Sequence, residues 1–169
     1  MLFKKMIPKS RDVEKTQENI IKLSQKLKNI ITQYDWENKN KINDAGLDFA
    51  CFLYTLDFYR QVMTLKYNKT VTKTIIRTIF INLENAYKQL GNSFEKNYML
   101  NMYIKLSKSL HEIYQISKED NVDELEMVAM YLLTDECQMS ENELVDNHGC
   151  VIQVSTFFFQ VINLNLDEI

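Results

Sequence analysis

The chain has 169 residues, 46% of them hydrophobic and 25% charged. Those proportions argue against a disordered or fibrous chain, and the length suits one domain, 1–169, with its own core. Three glycines and one proline are too few for a sheet joined by tight turns, so an all-α bundle of about five to seven helices is expected.

The first predicted helix follows Pro8, with Ser10 as its cap and Asp12 and Glu14 in the first turn, where the helix dipole favours carboxylates. Val13, Thr16, Ile20, Leu23, Leu27, Ile30 and Tyr34 alternate by three and four, widened by Ile21 and Ile31. That seam suits packing on one side of a bundle, or a homodimer formed through residues 13–34. A polar loop is expected over 37–43.

The second predicted helix, 44–66, is apolar on two faces. One carries Leu47, Cys51, Tyr54, Phe58, Val62 and Leu65, the other Phe49, Phe52, Leu56, Tyr59 and Met63. A helix apolar on both sides belongs at the centre of a bundle. Asp57, Gln61 and Thr64 line a polar seam beside Arg60.

A third helix is predicted over 72–90, with Gly91 as its left-handed stop. A fourth is predicted over 93–117, striped by Met99, Met102, Tyr103, Leu106, Leu110, Ile113 and Tyr114. A fifth, over 122–137, should bury Val122, Leu125, Val128, Ala129, Leu132 and Leu133. Ser140 and Glu143 have capping-box spacing, which predicts a further helix start. The Val-, Ile- and Phe-rich segment 151–166 reads as helix rather than strand, because a lone strand has no evident partner here.

No pattern carries a catalytic signature. The chain has no Gly-x-Ser-x-Gly elbow, and three scattered glycines cannot build a phosphate-binding loop. Cys137, His148 and Cys150 lie close in sequence but lack paired zinc spacings. They read as a half-buried Cys137, a helix-end His148 and a core Cys150. No Glu-x-x-His pairs occur, so no metal or cofactor is expected. Asp57, with Arg60 and Gln61 within helical reach, is the best candidate for a buried polar site, structural or lining a small-molecule pocket.

Three cysteines and no apolar leader in 1–10 suggest a reducing, cytoplasmic setting. The segment 151–162 is too short and too interrupted to span a bilayer. The lysines are dispersed and the last third would repel phosphates, so nucleic acid is not an expected ligand.

Charge is the most distinctive feature. Residues 1–118 hold all twenty Lys and Arg and eleven Asp and Glu, a balance of +9. Residues 119–169 hold twelve Asp and Glu and no base, a balance of −12. The acidic third can pack against the chain's own basic part, keep an apolar segment solvated, or recognise a basic partner. In the last reading Asp120, Asp123, Glu124, Asp135, Glu136, Glu141, Glu143 and Asp146 make up the partner-binding face, with Met127, Met130, Tyr131 and Met139 as apolar anchors. The expected function is that of a small protein-binding inhibitor, not an enzyme. Its most concrete form is an immunity or antitoxin-type protein that covers the basic surface of a toxin such as a nuclease. A self-associating helical module and a helical small-molecule binder are the alternatives.

Overall fold

The computed structural model describes residues 10–44, 48–53, 55–56, part of 77–91, and 93–163. The chain is an all-α bundle, and every regular element among these residues is helical. Helix α1 spans Ser10–Thr32, followed by a 3₁₀ turn over Lys39–Asp44. After the helical residues in 48–56 and 77–89 come α2 (Tyr98–Asp120) and α3 (Glu124–Tyr131). A π-helical turn (Leu132–Glu136), α4 (Glu141–Asp146) and α5 (His148–Asn163) complete the order.

Helix α5 buries one face in the bundle and leaves the other exposed. Cys150, Val151, Val154, Phe157, Phe158 and Val161 of α5 are buried, and α5 packs against α1 and α3. Opposite them, α1 buries Leu23, Leu27 and Ile31, and α3 buries Leu125, Val128 and Ala129. Phe158 stacks on Phe52 with ring centroids 5.5 Å apart, and Phe52 stacks on Tyr131 at 6.4 Å. The acidic third of the sequence therefore supplies much of the apolar core. Its carboxylates occupy the complementary helix faces, as amphipathic periodicity requires.

Residues 49–53, 55 and 56 are all buried. Phe49, Phe52, Leu53 and Leu56 join the core around α5. Ala50 and Cys51 join a second cluster with Phe80, Tyr87 and Met99. The rest of the two-sided helix predicted over 44–66 lies outside the described residues, as do Asp57, Arg60 and Gln61. Of the seam predicted for the first helix, Leu23 and Leu27 are buried, whereas Ile21 is 48% exposed.

Several boundaries differ from the sequence reading. The predicted polar loop after α1 contains the 3₁₀ turn, because Ile42 and Trp36 enter the core and tighten the chain there. Helix α2 starts at Tyr98 rather than 93. Asn97 adopts a left-handed conformation (φ 62°) that breaks the helical path before it. The α2 terminus extends to Asp120, where left-handed Asn121 returns its N–H to the Ser117 carbonyl. Gly91 is left-handed (φ 87°), as expected of a helix stop.

The fifth predicted helix is in fact two elements. Asp123 caps α3 by accepting from the Glu126 N–H at 2.9 Å. The chain turns before this cap, which leaves Val122 44% exposed instead of buried. After Tyr131 the path widens to a π turn, with the Cys137 N–H reaching the Leu132 carbonyl at 3.0 Å. The predicted capping box is present at α4: Ser140 accepts from the Glu143 N–H, and Glu143 accepts from the Ser140 N–H at 2.8 Å.

Candidate protein-binding face

Helix α4 has a distinct inside and outside. Leu144 packs against the core. Glu143 and Asn147 turn toward the connection after α1. The Glu143 carboxylate accepts from the Glu37 backbone N–H at 2.7 Å, and the Asn147 amide donates to the Asp35 carbonyl at 3.3 Å. The Asn38 amide donates to the Gln138 carbonyl at 3.3 Å, adding a third link. Helical geometry then sends Glu141, Asn142, Val145 and Asp146 outward, and all four are exposed.

The eight carboxylates named from sequence divide into different roles. Asp123 is spent as the α3 cap, and Glu124, half-buried, lies in the first turn of α3. Asp135 is exposed on the π turn and accepts from the Thr134 hydroxyl at 3.2 Å. Glu136 is half-buried and pairs with Lys105 of α2 at 3.3 Å. That pair, mainly through the charge of Glu136, raises the Lys105 ammonium above its ordinary value.

Glu143 is committed to the capping box and to Glu37. The Glu37 N–H, then the Ser140 hydroxyl and N–H, hold its carboxyl below the usual glutamate value. Asp120, Glu141 and Asp146 are exposed, and no partner contacts their carboxylates among the described residues.

The expected apolar anchors are elsewhere. Met139 is 3% exposed and belongs to the core, and Met127, Met130 and Tyr131 pack against it. Met127, Met130 and Tyr131 pack there because α3 lies against α5, and Met139 follows the π turn inward, its N–H bonded to the Leu133 carbonyl at 2.9 Å. The exposed large apolar side chains of the acidic third are instead Val122 (44%) and, seven residues apart, Val145 (76%), Ile152 (47%) and Phe159 (57%). Sequence reasoning missed the last three, although their seven-residue spacing was visible.

The cysteines are buried and free. Cys137, expected to be half-buried, is 4% exposed, since the π turn directs it inward. Burial pushes the Cys137 thiol up to about 12 and the Cys150 thiol up to about 11. His148 opens α5 rather than ending the helix before it. Among the described residues no group of His, Cys, Asp or Glu is placed to hold a metal ion, and no helix is long and apolar enough to cross a membrane.

Comparison with protein-family models, curated proteins and solved structures finds no match.

Proposed function

We propose that this chain is a small cytoplasmic binding protein that occludes a basic protein partner, without catalysing a reaction. The observation that carries the reading is the outward face of α4. Glu141 and Asp146 are exposed there on either side of Val145, in a 51-residue segment without a positive charge. In the links from this segment back to Asp35, Glu37 and Asn38, the segment's Glu143 carboxylate and Gln138 carbonyl accept and its Asn147 amide donates, and every group on the other side is neutral. Outward carboxylates on such a face steer a cationic protein and raise its association rate. In its most specific form, the proposal is an immunity or antitoxin-type inhibitor covering the basic surface of a toxin. The protonated state of the buried thiols is in keeping with a non-catalytic role.

Self-association through the first helix is the weaker reading. Leu23, Leu27 and Ile31 are covered by the chain's own core, so pairing through them would require the bundle to open.

The test begins with affinity capture from the native host, followed by stopped-flow association of the captured partner. Glu141→Lys with Asp146→Lys should slow association several-fold at low salt and flatten its salt dependence. Equal rates for the variant and the parent chain would overturn the acidic-face reading.

A further inference from the structure

Seven large hydrophobic side chains are exposed among the described residues, and three of them share a line of sequence. Val145, Ile152 and Phe159 are each seven residues apart. Seven residues are close to two helical turns, so Ile152 and Phe159 of α5 keep to one face with a drift of about 20°. The row crosses from α4 to α5 with Asn147 alone between the helices. The helical path bends at that junction, where Asn147 has a non-helical backbone (φ −109°, ψ 34°) and the Cys150 N–H closes a tight turn onto the Asn147 carbonyl at 2.7 Å, so Val145 stands before the N-terminal end of α5 rather than in helical register with Ile152. On α5 alone, Ile152 and Phe159 are separated by about 10 Å along the axis.

The surroundings of the row are as informative as the row. Residues 147–166 contain no Asp, Glu, Lys or Arg. The exposed positions beside Ile152 and Phe159 are His148, Gly149, Gln153, Thr156 and Gln160. A solvated helix face ordinarily carries charges of both signs, whereas the centre of a protein interface is depleted of charge and its rim is polar. Here the neutral apolar strip lies on α5, and the carboxylates Glu141 and Asp146 stand at its N-terminal end.

We infer that Val145, Ile152 and Phe159 are the apolar anchor row of a docking surface whose occupant is a basic amphipathic helix of a partner protein. This rests on the acidic-face reading and deepens it by naming the shape of the partner. A helical partner fits because Ile152 and Phe159, seven residues apart on α5, match the stripe of a facing helix. Basic flanking residues fit because the segment from 119 onward offers carboxylates and no repelling cation. Gln153 and Gln160 can each donate and accept, and Thr156, whose hydroxyl donates to the Ile152 carbonyl at 2.8 Å, can still accept, so together they satisfy the polar edge of such a helix without requiring a charge from it.

A synthetic amphipathic peptide serves as probe, with leucines at heptad spacing and lysines flanking them. A scrambled peptide of the same composition is the control, and binding to the full chain is followed by fluorescence anisotropy and stopped flow. Val145→Ser and Ile152→Ser should each weaken binding about tenfold, through faster dissociation. Thr156→Glu, at an exposed position between the α5 anchors, should weaken it as well. Glu141→Lys with Asp146→Lys should mainly slow association. Thermal melting verifies that each surface variant stays folded. If the acid variants lose binding and the anchor variants do not, the anchor row is wrong and the acidic-face reading survives. If neither set matters, or the scrambled peptide binds equally well, the inference fails. Concentration-dependent dimerisation abolished by Ile152→Ser would assign the row to a second copy of the chain, and would also overturn it.

Discussion

The Glu143 carboxylate accepts the Glu37 backbone N–H at 2.7 Å, joining α4 to the connection that leaves α1. The same carboxylate closes the capping box with Ser140. One charged group thus holds both a helix terminus and a contact between segments about a hundred residues apart. Its folded pKa is depressed, so its contribution is present above the ordinary glutamate value of 4.5 and is lost as pH falls through the lower folded value. Glu143→Gln should therefore lower the urea midpoint at pH 7. The gap between variant and parent should close in the acid range below pH 4.5. A gap independent of pH would show that the charge of Glu143 is not what holds the two segments.

Glu84 does similar work at the start of α2. It is 5% exposed and accepts from the Asn97 N–H at 2.8 Å, the Met99 N–H at 3.3 Å and the Lys88 ammonium at 2.9 Å. Burial pushes its carboxyl up, but these donors outweigh burial and hold it below the ordinary value. Asn97 itself provides no side-chain cap. Glu84→Ala leaves those donors unmatched and should cost about 1–3 kcal/mol in chemical denaturation.

The three thiols should be inert in the folded chain. Cys51, Cys137 and Cys150 are buried, and burial raises each thiol well above its ordinary value. Iodoacetamide at pH 8 should modify none of them natively and all three in denaturant, as read by intact mass. Rapid native labelling of Cys150 would contradict the packing of α5 against α1.

Two neighbouring positions on α5 should respond in opposite ways. Phe158 is fully buried and stacks on Phe52, so Phe158→Ala should cost about 3–5 kcal/mol. Ile152 is 47% exposed, so Ile152→Ser should change stability by no more than about 0.5 kcal/mol. Equilibrium unfolding of both variants tests which face of α5 is inside.

Asp120 is placed against the dipole of α2, in its last turn, where a carboxylate is unfavourable. Asp120→Lys should raise stability by about 0.3–1 kcal/mol, read from denaturant midpoints at low ionic strength. The gain should shrink with added salt, since the dipole interaction is screened.

Much of this architecture was legible before any coordinates. Three-four alternation marked Leu23, Leu27 and the stripe of α2 from Met99 to Tyr114. Ser140 and Glu143 announced a helix start, and Gly91 a helix stop. The segment after Val151 was read as helix because a strand there had no partner, and α5 is a helix. These features depend on residues within four or five positions of one another, a range over which helical geometry alone relates side chains.

The site was less legible. All eight carboxylates nominated from sequence were equivalent as letters, yet Asp123, Glu136 and Glu143 are committed to a cap, an ion pair and a tether. The methionines chosen as anchors face the core, and the exposed apolar row is Val145, Ile152 and Phe159. The π turn after Tyr131 interrupts what periodicity presents as one helix over 122–137.

By itself, the sequence determined an all-helical chain, the segregation of its charges and the local signals that start and stop its helices. Tertiary structure alone decided which carboxylates are occupied and which are offered outward. Occupancy depends on pairs such as Glu143 with Glu37 and Glu136 with Lys105. Their members are far apart along the chain, and they meet only after apolar burial has packed α5 against α1 and α2 against α3.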